Sequence, residues 1–180
     1  QKFVEDIEES IKIFKNKLGY NPIYFSYPFG EYNLEQKNYI SNNFEFAFGQ
    51  HSGVIDLNKD RYELPRFPIN EKYGEIKRFK EVISYLPLQY KIIKPENKFM
   101  NDGENPPKMT IEFFEDQKNL ENINCFSNEG SKWRKTKIIL NDNILNINFS
   151  EKFIERRGRI NCSLKDENGW RFSGFQFVQN

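Results

Sequence analysis

His51 is the only imidazole in the chain, and it lies in the run Gly49-Gln50-His51-Ser52-Gly53. An imidazole can take up or release a proton near neutral pH. A nucleophilic triad would have to use His51, with Ser52 as its neighbour, and adjacent loop residues rarely form the serine–histidine hydrogen bond that such chemistry requires. His51 therefore reads either as a hydrogen-bonded loop residue or as a group bordering a substrate. A complete histidine-based metal site cannot be built, because the chain has one His and two Cys far apart and such sites need clustered ligands. No glycine-rich phosphate loop is present. A second group is Tyr27-Pro28-Phe29-Gly30-Glu31, which follows the apolar run Ile23–Tyr27. In α/β folds the working residues sit just past the C-terminal end of a strand, so Tyr27 and Glu31 are candidates for substrate contact. Glu31 suits equally well the capping of a helix expected from Leu34. Arg66, in Leu64-Pro65-Arg66-Phe67-Pro68, calls for a carboxylate partner if semi-buried. That pair is either structural or a means of orienting a catalytic carboxylate. Cys125 and Cys162 are each preceded by Asn. They form a disulfide if the protein is exported, or remain buried thiols in a reducing compartment.

The elements that must position these residues change character along the chain. Val4, Ile7, Ile11, Phe14 and Leu18 recur at helical spacing, and Gly19 and Pro22 stop the helix. The strand Ile23–Tyr27, a short helix from Leu34 to Asn43, and apolar runs at Phe44–Phe48 and Tyr62–Phe67 come next. A helix over Glu75–Leu86 then places Ile76, Phe79, Val82, Ile83 and Leu86 on one apolar side. Helices alternating with short buried strands predict an α/β portion over residues 1–94. Residues 95–107 are rich in Pro, Gly, Asn and acid and read as a linker. Residues 108–180 carry no helical period. Strands are expected at Met109–Phe114, Asn122–Phe126, Lys132–Leu140, Ile144–Phe149, Arg159–Leu164 and Trp170–Val178, separated by turn signals. That pattern predicts a small antiparallel β-sandwich. The fold class is thus α/β followed by all-β.

Composition narrows the partners. Across 180 residues, 27 Lys and Arg face 26 Asp and Glu, interspersed along the chain, so nucleic-acid binding through bulk positive charge is not expected. No apolar run approaches the ~20 residues of a membrane-spanning helix, and no signal peptide is visible. Aromatic residues reach 16%. This is ample core material, and exposed rings could also stack on sugar faces.

The segments Gly19-Tyr20-Asn21-Pro22, Phe25-Ser26-Tyr27-Pro28-Phe29-Gly30-Glu31-Tyr32-Asn33, Phe46-Ala47-Phe48-Gly49-Gln50-His51-Ser52-Gly53 and Leu64-Pro65-Arg66-Phe67-Pro68 together resemble the polysaccharide deacetylase family. In order and spacing they look like the last third of that family's deformed (β/α) barrel. The C-terminal half, with Asn105-Pro106-Pro107 before its first strand and Arg159-Ile160-Asn161-Cys162 answering an Asn-Cys-Phe segment, looks like a β-domain appended to some bacterial members. The resemblance implies hydrolysis of N-acetyl groups on amino-sugar polymers or oligomers, a divalent metal such as zinc, and a periplasmic or secreted location. It implies that the Phe29 backbone N–H helps hold the oxyanion and that Arg66 orients the catalytic carboxylate. It also implies that Tyr27, Glu31, Gln50 and His51 border the substrate. The family's metal-binding Asp and His pair precede its Tyr-Pro-Phe-like motif, so no metal ligand is expected in this chain, and Ser26 stands where an Arg is frequent. The chain is accordingly expected to be the C-terminal part of such an enzyme, catalytically incomplete. It is expected to need the rest of the barrel or to self-associate through exposed strand edges and helix faces. The competing expectation is a non-catalytic carbohydrate-binding or cell-wall module, with Trp133, Trp170 and Phe172 gripping sugar rings or, as the plainer alternative, filling the sandwich core.

Overall fold

The structure, a computed structural model of the chain, describes residues 1–101 and 103–179. Asp102, within the expected linker, and Asn180, at the end of the expected β-domain, lie outside the described residues.

The apolar stripe near the N-terminus forms α1, Lys2–Leu18. Gly19 ends it in the left-handed region at φ 83°, and its N–H closes on the Lys15 carbonyl. Glycine adopts that conformation without a Cβ clash. The chain continues through β1, Tyr24–Ser26, a 3-10 turn at Pro28–Gly30, and α2, Leu34–Ser41. It returns as β2, Phe46–Phe48, parallel to β1 with Phe25 opposite Ala47. Parallel strands joined through a helix make a βαβ unit. The apolar run Tyr62–Phe67, whose pattern predicts a third strand, does not form one. One parallel bridge, Phe48 to Leu64, ties it to β2, and Pro65 has no N–H with which to extend the ladder. Tyr27, Tyr32, Ile40, Phe44 and Ala47 gather with Ile7 of α1 into a small core. Next comes α3, Ile76–Ser84, whose apolar side is not buried: Ile76 is 67% and Ile83 64% exposed.

The remaining strands are β3 (Leu86–Pro87), β4 (Ile92–Lys94), β5 (Phe99–Met100), β6 (Met109–Glu112), β7 (Asn124–Ser127), β8 (Arg134–Lys135), β9 (Lys137–Asn141), β10 (Ile144–Asn148), β11 (Arg157–Asp166) and β12 (Gly169–Gln179). One sheet runs β4-β6-β10-β9. The other runs β3-β12-β11-β7-β8, with β5 also alongside β12. Met109, Ile111, Leu145 and Ile147 from the first sheet share one core with Ile160, Leu164, Phe175 and Phe177 from the second. Residues alternate inward and outward along β10 and β11 as expected, because successive side chains of a strand point to opposite faces. The boundary differs from expectation. Strands β3, β4 and β5 fall within the expected α/β portion and linker, yet they pair with β12 and β6. Runs this short carry no readable period, and backbone partners alone decide where they belong.

The alternation breaks at the end of β12, where Gly174 through Val178 are all buried. Phe175 and Phe177 face the shared core. The opposite face is covered by the βαβ portion. Gly53 bridges to Ser173, and the Gln176 side-chain amide donates to the carbonyls of Phe29 (3.3 Å) and Gly30 (3.0 Å).

Cys125 and Cys162 sit opposite each other on β7 and β11 and are joined by a disulfide that spans 37 positions of sequence. A loop of that length contributes about 4 kcal/mol by restricting the unfolded chain. We expect the Cys125→Ser, Cys162→Ser variant to lose roughly 2–4 kcal/mol of unfolding free energy in urea titration. A loss below about 1 kcal/mol would mean that residual structure in the unfolded chain cancels the restriction.

Candidate functional site

The turn after β1 is built from two successive left-handed residues, Phe29 at φ 57° and Gly30 at φ 68°. Glycine is required at the second, since a Cβ there would lie 2.4 Å from the Gln50 nitrogen. Phe29 adopts the same region with a side chain, at a cost of order 1 kcal/mol, and its ring is 63% exposed. The Arg157 guanidinium lies over that ring at 5.6 Å. The Phe29 N–H donates to no backbone carbonyl among the described residues. Tyr27 is buried and stacks on Tyr32 at 4.2 Å. Burial, reinforced by the charges of Asp60 and Glu63, holds the Tyr27 phenol well above its ordinary range. Glu31 does not cap α2. Asn33 does so, in a reciprocal capping box with Gln36, because an N-cap must directly precede the first helical residue. Glu31 instead pairs with Arg156 (3.0 Å) and Arg157 (3.7 Å) of the β-sheet portion.

The loop after β2 carries His51. Arg66 pins it: the Arg66 backbone N–H donates to the His51 carbonyl at 3.1 Å and its Nε donates to the Gly49 carbonyl at 3.2 Å. The carboxylate partner expected for Arg66 is not found among the described residues. Arg66 is exposed, so water can solvate its remaining donors and no ion pair is required. Burial lowers the His51 pKa to about 4, with Lys98 acting in the same direction and Glu63 opposing. His51 is therefore neutral at pH 7, with one ring nitrogen a donor and the other an acceptor.

Two spaces meet at His51. The first is a small cavity of about 50 Å³ between the two portions, bounded by Tyr32, Glu63, Lys98, Tyr90 and Gln176. Several of its polar groups pair with one another, while the buried Gln176 Oε1 has no partner among the described residues. The Tyr32 hydroxyl donates to Glu63 at 3.0 Å, and Lys37 bridges Asp60 (2.8 Å) and Glu63 (3.3 Å). The second is an open cleft of about 390 Å³, within the size range of small-ligand sites. Gln50, His51 and Arg66 line it from the βαβ side, Arg78 from α3, and Trp133, Arg159 and Asn161 from the β-sheet side. The structure thus brings together Gln50, His51 and Arg66. Tyr27, Phe29 and Glu31 do not line this cleft, and the turn reaches it only through the packing of Gly30 on Gln50.

The aromatic candidates separate. Trp133 is 52% exposed and borders the cleft. Trp170 is 47% exposed, away from the cleft, beside Lys165. Neither Trp fills the sandwich core. Phe172 stacks on Tyr85 at 5.6 Å and packs on Phe67 at 5.4 Å, so it joins the two portions and offers no free face. Arg78, Arg159 and Asn161 had not been singled out. Strand alternation puts Arg159 and Asn161 on the same, outward face of β11, and both line the cleft.

Among the described residues no group of three or more His, Cys, Asp or Glu is placed to hold a metal ion. The residues present do not fit the divalent metal implied by the family resemblance, and no chemical step is derived through one. Among the described residues no helix is long and apolar enough to cross a membrane. Compared with known protein families, curated proteins and solved structures, the chain has no significant match.

The state of His51 predicts a pH dependence. Its folded pKa of about 4 lies below the ordinary 6.5, so on acidification the unfolded chain binds the proton first. The stability gained by keeping His51 neutral is complete above pH 6.5 and is lost as pH falls towards 4. Urea titrations of the protein and of His51→Asn should therefore converge by on the order of 2 kcal/mol across that window. A difference that stays constant with pH would mean that the imidazole is solvated in the folded state.

Proposed function

We propose that the chain is the glycan-holding C-terminal part of a metal-dependent polysaccharide deacetylase, and that an N-acetylated amino sugar occupies the cleft between His51 and Trp133. The observation that carries this reading is the cleft itself. Gln50, His51 and Arg66, three residues of the segments that resemble the family, face an exposed Trp across it. Neutral His51 and the Gln50 amide offer both donors and acceptors to sugar hydroxyl and acetamide groups. The Trp133 ring supplies a flat apolar platform with a low conformational-entropy cost. The Phe29 N–H donates to no backbone carbonyl among the described residues, as suits a preorganised oxyanion donor, but Phe29 does not line this cleft, so that role requires the acetyl group to extend past the cleft to the turn after β1. Glu31, held by two arginines, serves to fix the turn. The second reading is a non-catalytic carbohydrate-binding module. It is favoured by the same exposure of Trp133, which needs no catalytic partner to grip a sugar ring.

Chitin oligomers and cello-oligosaccharides, titrated separately against tryptophan fluorescence, distinguish the two. Deacetylase-type recognition of the acetamide predicts chitin oligomers binding at least tenfold more tightly, about 1.4 kcal/mol. Equal binding supports the sugar-gripping module, and binding of neither removes both readings. Trp133→Ala should weaken the binding by about 2 kcal/mol, as for other central aromatic anchors.

A further inference from the structure

We infer that the cleft contains a subsite for an oxyanion carried on a sugar ring, formed by the guanidinium groups of Arg66, Arg78 and Arg159. The sugar half of this assignment rests on the cleft being the glycan site. The anion half rests on the arginines alone.

Three arginines line this one space, and among the described residues no Asp or Glu lines it with them. Elsewhere, Arg134, Arg156, Arg157 and Arg171 each pair with a carboxylate, and the exposed Arg61 lies over the Tyr62 ring; among the described residues Arg66, Arg78 and Arg159 pair with no carboxylate. Like charges gathered in a partly desolvated wall repel one another, and an unpaired buried charge is costly. An arrangement of this kind is relieved by an anion. The Arg159 Nε is buried and has no acceptor among the described residues, although buried polar groups are nearly always hydrogen-bonded. Glu155 is near enough for its charge to act on Arg159, but its carboxylate accepts from Asn128 instead.

The other two arginines are held in a way that leaves donors free. Arg66 spends its Nε on the Gly49 carbonyl, and Arg78 donates from one terminal nitrogen to the Pro68 carbonyl, each at 3.2 Å. These contacts fix the guanidinium groups without neutralising them. A guanidinium carries five N–H donors in a planar fork, and such forks bind carboxylate, sulfate and phosphate oxygens in pairs. Trp133 borders the same space, half exposed, so the anion and a stacked ring can belong to one ligand. The ligand class is therefore an acidic sugar, bearing a uronate carboxylate or a sulfate or phosphate ester.

The test compares ligands of equal length by titration calorimetry: N,N′-diacetylchitobiose, its 6-sulfate and a glucuronate-containing disaccharide, with inorganic sulfate as the ring-free probe. We expect the acidic disaccharides to bind at least tenfold more tightly than the neutral one, with the advantage shrinking as salt rises. Whichever acidic group binds better identifies the native anion. Arg78→Gln and Arg159→Gln should each remove most of the advantage while leaving binding of the neutral disaccharide within about threefold, and Arg159→Lys should retain part of it. If Arg159→Gln lowers the thermal midpoint sharply, Arg78→Gln on the exposed helix carries the comparison alone. Equal affinity for neutral and acidic disaccharides would overturn the anion subsite while leaving the glycan reading intact. An acidic preference that survives both Gln substitutions would also overturn it. Inorganic sulfate binding as tightly as the acidic disaccharides would overturn the sugar half, and the glycan reading with it.

Discussion

The burial of β12 on both faces is the constraint on which the rest of the structure depends. One face of its C-terminal half, through Phe175 and Phe177, closes the core shared by the two β-sheets. The other receives the βαβ portion through the Gln176 bonds to Phe29 and Gly30, and the bridge from Gly53 to Ser173 adds a backbone contact along the strand edge. Gly174 makes this approach feasible, since a Cβ there would lie 2.2 Å from the Ser52 carbonyl oxygen. A strand with both faces covered cannot shift register without moving its apolar set out of the core and its contact residues out of the interface. The relative placement of the Gln50–Gly53 loop and the β-sheet wall follows from that docking, and so does the cleft between them.

Charge is distributed unevenly across this interface. On one side of His51, Lys37, Asp60, Glu63 and Tyr32 satisfy each other beside a small cavity. On the other side, the arginines of the open cleft have no carboxylate partner among the described residues. His51 lies between these regions, and its burial keeps the imidazole uncharged. It therefore contributes hydrogen-bonding capacity to the cleft without adding a fourth positive charge. The division of labour is consistent with a closed structural joint on one side and a ligand-accepting surface on the other.

Much of the fold was readable from residue pattern. The stripe of α1 with its Gly19 cap, the strand–turn–helix at Tyr24–Ser41, and the alternation of β10 and β11 all follow from periodicity and turn chemistry. Those signals are local. The failures share one cause, which is that the deciding partner is remote in sequence. Tyr62–Phe67 looked like a strand but makes a single bridge to β2. Strands β3 to β5 are too short to carry a period, yet they complete the two sheets. The apolar side of α3 was readable, but its exposure was not. Within the site, Glu31 was expected to cap a helix or touch substrate, and its partners are Arg156 and Arg157, more than a hundred positions away.

By itself the sequence determined the local elements, the inventory of chemistry and the pairing capacity of two cysteines. One imidazole, a glycine-containing turn after Tyr27 and an Arg following Leu64-Pro65 are properties of residue type and spacing, and such properties persist whatever the chain packs against. Only the tertiary structure decided that Gln50, His51 and Arg66 share a cleft with Trp133 and Arg159. It alone decided that Cys125 faces Cys162, that Phe172 is consumed in packing, and that the Tyr27–Glu31 turn stands behind the cleft wall. Each of these depends on how the βαβ portion docks on β12, and that docking is set by complementary surfaces drawn from distant segments, which no local period encodes.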